Sequence, residues 1–232
     1  MPVILHIETS TEVCSVALSC DGSVVFRREN RTPMSHASSL AGYVQEALAE
    51  ARERQLSLDA VAVSRGPGSY TGLRIGVSEA KGVCFGLDVP LISVDTLAVM
   101  ACAVMFRDGT DETALLCPMI DARRMEVYTA VYDRALTTVS PVEAKIIDEE
   151  AFAPLLEKRK ILFFGNGAAK CRTTITHPNA LFVDDIHPIA ADMTALAEQS
   201  FRAGCFENVA YFEPFYLKDF VATKPKNKVL HT

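Results

Sequence analysis

The residues best placed to do chemistry sit in one stretch, SRGPGSYTGLRIGVSEAKGVCFG, residues 64–86, which holds six of the chain's twelve glycines. A strand that ends in Gly-Pro-Gly and opens a helix can bind an anion, because helix N-terminal amides point outward. The usual phosphate fingerprints are absent. Gly-x-Gly-x-x-Gly needs glycine at 71, where Thr71 stands, and a Walker loop needs Lys then Ser or Thr after its last glycine, where Gly72 precedes Leu73 and Arg74. Ser69 lies in Gly-Ser-Tyr, outside the Gly-x-Ser-x-Gly of a nucleophile elbow. Spacing offers a second reading. Gly72, Gly76 and Ala80 stand four apart and line one stripe of a helix. Glycine inside a helix costs about 1 kcal/mol relative to alanine, which a closely approaching element would offset. That element is either the chain's own core or a helix of a partner.

Two smaller polar turns are also candidates. In Glu-Thr-Ser-Thr-Glu, residues 8–12, the hydroxyls of Thr9, Ser10 and Thr11 suit a phosphate and equally an ordinary tight turn. In Asp-Ala-Arg-Arg, residues 121–124, Arg123 and Arg124 can grip a phosphate or a carboxylate at two points, or simply be solvated. The histidines, 6, 36, 177, 187 and 231, offer no i, i+4 pair for a metal on a helix. Seven scattered cysteines without a Cys-x-x-Cys read as buried thiols in a reducing compartment. A net charge of −6 argues against a chain that grips nucleic acid unaided. No apolar run has the length of a membrane span, and the N-terminus reads directly into a strand without a signal pattern.

The elements that must position these residues follow an α/β order. Val3–Ile7, CSVALSC and SVVFRREN form a β-meander, with Asp21-Gly22 as a hairpin turn. Leu40, Tyr43, Val44, Ala47, Leu48 and Ala51 recur at helical spacing. A buried strand, LDAVAVSRG, leads into the glycine helix, and LISV and DTLAVMACAVMF supply one more strand and helix. A polar seam at 107–112 divides residues 1–106 from 107–232. The second part repeats the outline: a strand, an acidic turn, a strand from Met125 to Tyr132, then ILFF meeting Gly-Asn-Gly. ADMTALAEQSFRAG closes the chain as a helix that can pack back on the first part, and residues 219–232 have the composition of a mobile tail.

The stretch AVSRGPGSYTGLRIGVSEAKGVCFGLDVPLISVDTLAVMA closely resembles the signature of the TsaB family, a subunit of the bacterial tRNA threonylcarbamoyladenosine-forming complex. The resemblance continues in ILHIETSTEVCSVAL, PMIDARRMEVYTAVYD, FFGNGAAK and FEPFYLK, and so spans nearly the whole chain. It implies a two-lobed actin-like α/β fold (actin, Hsp70, sugar kinases), each lobe a mixed sheet with helices. It implies a cytoplasmic, non-catalytic paralogue of the transferase TsaD that docks on TsaD through the first two helices, with the ATPase TsaE joining on tRNA. The partner interface would then comprise His36, Leu40, Tyr43, Val44, Gly72, Gly76 and Ala80, and the free chain would dimerise through the same surface. On that basis Gly76→Leu would break the complex and leave the monomer folded.

In the actin-like fold, ETSTE stands at the first phosphate loop, with Glu8 where the family carries Asp, and GNGAAK is either a remnant of the second-lobe nucleotide loop or a plain strand-to-helix turn. Glu8, Thr9, Ser10, Arg123 and Arg124 are therefore the candidate contacts of a degenerate nucleotide or tRNA site, with an ordinary tight turn and solvated arginines as the competing readings. The lysines 218, 224, 226 and 228 either brush tRNA or belong to the tail. The His-x-x-x-His of the catalytic relative falls on Thr96 and Met100 of VDTLAVM, so neither a metal nor another cofactor is expected. The rival expectation is a free-standing ATP-dependent kinase or transferase of the same fold. It would need working phosphate loops and a catalytic carboxylate, for which Glu8 and Asp121 are the candidates.

Overall fold

A computed structural model describes residues 2–32, 36–107 and 109–218. The tail expected over 219–232, with Lys224, Lys226 and Lys228, lies outside the described residues. The chain opens with β1 (Val3–Glu8), β2 (Cys14–Cys20) and β3 (Ser23–Asn30). Asp21 and Gly22 both take positive φ, 50° and 76°, the conformation that a two-residue hairpin needs to match strand twist. Then come α1 (His36–Glu53), β4 (Ala60–Gly66), α2 (Tyr70–Leu87), β5 (Leu91–Asp95) and α3 (Thr96–Met105). The sheet order is β3-β2-β1-β4-β5, antiparallel through the meander and parallel across β1, β4 and β5.

The second sheet follows the same rule. β6 (Leu115–Asp121), β7 (Glu126–Tyr132) and β8 (Thr138–Ile146) form a meander; β9 (Ile161–Phe164) and β10 (Ala180–Val183) add in parallel on the far side of β6. Read from its meander edge, the order is again third, second, first, fourth, fifth. Two short helices, α4 (Ala153–Leu156) and α5 (Ala168–Cys171), fill the crossovers. This duplicated topology is the actin-like fold expected from the sequence.

Strand alternation assigns the cores. Leu5, Ile7, Val61 and Val63 face α1 and α2 through Leu40, Val44, Val77 and Ala80. Ile4, Ala60, Ala62 and Ile92 face the other way, onto Val99 of α3 and Met193 and Ala197. The last two belong to a 3-10 turn, Ala190–Met193, and to α6 (Thr194–Arg202), so the terminal helix packs on the first sheet. Helix α3 is shared, because its Leu97, Met100, Ala101 and Val104 pack on Leu116, Ile120 and Phe164 of the second sheet. After Gly204 the chain runs back along the first lobe. The Glu207 amide donates to the Leu91 carbonyl (2.8 Å), Lys81 Nζ to the carbonyls of Ala210 and Phe212 (3.1 Å each), and the Phe215 amide to the Arg65 carbonyl (2.7 Å). Among the described residues no helix is long and apolar enough to cross a membrane.

Candidate functional site

The glycine segment gives up its side chains to the first polar turn of the same chain. A Cβ on Gly68 would lie 2.3 Å from the Ser10 carbonyl oxygen, one on Gly72 2.1 Å from that of Thr9, and one on Gly76 2.2 Å from Thr9 Oγ1. Hydrogen bonds lock the fit. Thr9 Oγ1 donates to the Gly72 carbonyl (2.8 Å) and the Ser69 amide to the Ser10 carbonyl (2.6 Å). Ser69 also caps α2, its Oγ accepting from the Gly72 amide at 3.2 Å.

Within the chain, Gly72 and Gly76 of the stripe expected to face a partner are packed against Thr9, and Ala80 is buried with them. Gly76→Leu would have to expel Thr9 and so would not spare the monomer. Leu40 and Val44 are likewise core residues. His36 is buried, its Nε2 donating to the Thr11 carbonyl at 2.8 Å, and Tyr43 packs half-buried at the core edge.

Two more expected contacts are enclosed. Glu8 is fully buried and its Oε1 accepts from the Ser10 amide at 2.6 Å. Burial pushes its carboxyl above the ordinary value, opposed by the side chain and amide of Ser10, the Ser64 side chain and the Thr9 amide. Thr9 is buried and committed to α2. Glu8 and Thr9 therefore do not line the cleft, whereas Ser10, Thr11 and Glu12 do.

That cleft, about 920 Å³, lies between the lobes, with Asp121, Arg123, Tyr128 and Asn166 on its second-lobe wall. Glu12 spans it. Its Oε2 accepts from Asn166 Nδ2 at 2.8 Å and its Oε1 stands 3.2 Å from His187 Nδ1, while Asn166 Oδ1 accepts from the Asp121 amide at 2.9 Å. Lys170 organises the opposite turn: its Nζ binds Asp121 Oδ1 and the carbonyls of Arg124 (2.6 Å) and Glu126 (2.7 Å). Lys218 pairs with Glu126. The acids of the cleft wall are thus matched to donors. No three His, Cys, Asp or Glu gather as metal ligands among the described residues. Thr96 and Met100 are fully buried, and the Met100 methyl fills the space beneath Gly165. Burial pushes the thiols of Cys14, Cys84 and Cys102 up to about 11 and that of Cys117 up to about 12, the opposite of an activated nucleophile.

A feature the sequence reading passed over lies on the outer face of α1 and α2. Phe85 is 88% exposed, and a Cβ on Gly42, Gly82 or Gly86 would meet nothing within 4 Å. The signal was available: Ser78, Gly82 and Gly86 are also four apart, but start two residues after Gly76, roughly 200° round the helix.

Comparison with known proteins agrees with this architecture. Residues 31–226 match the family described as TsaD, tRNA N6-adenosine threonylcarbamoyltransferase. The chain is 34% identical over 228 residues to the tRNA threonylcarbamoyladenosine biosynthesis protein TsaB of Escherichia coli (strain K12), covering 95% of this chain and 96% of that one. The protein of the same name from Bacillus subtilis (strain 168) is 32% identical over 167 residues, 70% of each chain. Among solved structures, an uncharacterized protein with similarity to peptidase YeaZ from Pseudomonas aeruginosa superposes with a TM-score of 0.81 at 27% identity, over 94% of this chain and all of that one. YeaZ from Pseudomonas aeruginosa superposes with a TM-score of 0.75 at 26% identity over the same shares. The chain belongs to the TsaB family, within the wider family that TsaD describes.

Proposed function

We propose that this chain is a non-catalytic docking subunit of the cytoplasmic assembly that forms threonylcarbamoyladenosine in tRNA. It holds a TsaD-type transferase through the outer faces of α1 and α2, and TsaE joins that assembly. The observation that carries the reading is the bare outer face: an aromatic ring at 88% exposure beside helix glycines that touch nothing. Each such glycine weakens the free helix by about 1 kcal/mol, a cost that close approach of a partner helix offsets. The interface residues are then Ala41, Gly42, Ser78, Gly82 and Phe85, with Tyr43 at its edge. The same face pairs two copies when the partner is missing. The non-catalytic half of the reading rests on the cleft, where Glu8 is sealed and Asp121 is neutralised by Lys170. Those two facts also count against a free-standing kinase.

The test is threonylcarbamoyl transfer to tRNA reconstituted with TsaD, TsaE and the adenylate-forming enzyme, with and without this chain. Modification is expected to need the chain, which alone modifies nothing. Gly82→Leu is expected to abolish co-elution with TsaD while leaving the melting temperature of the free chain within a few degrees. Modification that proceeds without the chain, or ATP turnover by the chain alone, overturns the reading.

A further inference from the structure

Resting on the reading that this subunit works in an assembly acting on tRNA, we infer that the Arg123–Arg124 turn binds the phosphodiester backbone of that RNA at the mouth of the interlobe cleft. Both arginines are exposed, and Arg123 lines the cleft. Neither guanidinium has an ion pair or hydrogen bond among the described residues, whereas Arg28, Arg54, Arg65 and Arg172 each hold a carboxylate. The acids that could have quenched them are engaged elsewhere, Asp121 by Lys170 and Glu126 by Lys218. Two adjacent positive charges are left uncompensated.

The backbone is built to present them. Arg123 and Arg124 take φ of 72° and 51°, a left-handed conformation that costs an L-residue on the order of 1 kcal/mol. It is held by the Arg123 amide donating to Asp121 Oδ1 (2.9 Å) and by Lys170 Nζ gripping the carbonyls of Arg124 and Glu126. The backbone that carries both guanidinium groups is therefore fixed before a ligand arrives. Guanidinium geometry fits phosphate and carboxylate alike, and the surroundings decide between them. Tyr128, Tyr70 and Tyr216 share the cleft with Arg123, and the rings of Tyr70 and Tyr216 lie 4.7 Å apart with the Arg74 guanidinium over Tyr70. Ring faces beside cations suit bases strung on a phosphate backbone. Exposed Met125, whose carbonyl accepts from the Ile147 amide, and the neighbouring exposed Ile146 would suit a protein partner instead, and that alternative is an arm of the test. With a net charge of −6 the chain contributes locally to RNA binding, so the assembly is the object to measure.

The experiment compares wild-type chain, Arg123→Ala/Arg124→Ala and Arg123→Lys/Arg124→Lys, each assembled with TsaD. It measures affinity for an unmodified tRNA transcript across a salt series. The alanine pair is expected to weaken binding at low salt and to reduce the slope of log K against log salt by about 1.4 to 1.8, the release expected for two phosphate contacts. The lysine pair is expected to keep the slope and lose part of the affinity. TsaD docking and the melting temperature are expected to stay as in wild type. Unchanged affinity and slope overturn the inference. Loss of docking with RNA binding intact also overturns it and assigns the arginines to a partner carboxylate. A wild-type chain that never assembles defeats the docking reading instead, and the same salt series on the free chain then decides the arginine question.

Discussion

His6 and Glu8 stand two residues apart on one face of β1, and burial drives them in opposite directions. The His6 imidazole, sharing a 2.7 Å hydrogen bond with Ser19 Oγ, is pushed down to about 3, so the unfolded chain binds more protons between pH 3 and 6.5. Its contribution to stability is complete above pH 6.5 and is lost as pH falls toward 3. The Glu8 carboxyl is raised by burial, and that of Asp192 is raised to about 6 by burial and then by Glu29. These carboxyls favour the folded state at acid pH and lose that advantage as pH rises through their folded values. The opposing signs flatten the pH dependence between pH 4 and 6. Glu8→Gln removes the burial of a charge while keeping an oxygen for the Ser10 amide. The urea midpoint is expected to rise above wild type at pH 7.5 and to converge with it at pH 4. A midpoint lower than wild type at pH 7.5 would mean that the carboxylate stabilises the turn more than burial penalises it.

At the scale of the element, α2 carries two stripes of small residues, and they answer different demands. Gly72 and Gly76 admit the first turn and Ala80 is buried in the core, whereas Gly82 and Gly86 admit nothing within the chain. Spacing made both stripes legible in the sequence and could not say which was inward. That depends on where the turn after β1 lies, a contact some sixty residues away in the chain. The meanders, the α/β order and the cleft turns were legible for a simpler reason: alternation, helical spacing and Asp-Gly are local signals. β8, α4 and β10 were not, because β8 is an edge strand with half-exposed residues and the other two are four residues long. The free outer stripe makes its own prediction. Gly82→Ala adds a methyl to open space inside a helix, so it is expected to stabilise the free chain by about 0.5–1 kcal/mol in urea titration. It should at the same time weaken TsaD co-elution, since a side chain now stands where a partner backbone must approach. Stabilisation with undiminished docking would move the interface off this stripe.

For the whole molecule, duplication explains why the polar turns meet. The β1–β2 and β6–β7 turns occupy equivalent positions in two sheets of one topology, so Glu12 and Arg123 come from matching ends of two meanders and line one cleft. An apolar hinge lies behind the cleft, where α3 divides its residues between the cores on either side. Glu12 is the polar clasp in front, hydrogen-bonded to Asn166 and 3.2 Å from His187 Nδ1, both from beyond the seam. Removing it should therefore loosen the front without unpacking the hinge. Glu12→Ala leaves the Asn166 amide without its acceptor and is expected to lower stability by about 1.5–3 kcal/mol, the range for a hydrogen bond to a charged group. Hydrogen exchange locates the effect. Faster exchange is expected at the Asp121 amide, which the Asn166 side chain accepts, and across residues 165–168, with β1, β4 and α2 unchanged. Uniformly faster exchange through both sheets would show instead that Glu12 supports the global fold, and that the lobes are held as one body by α3 alone.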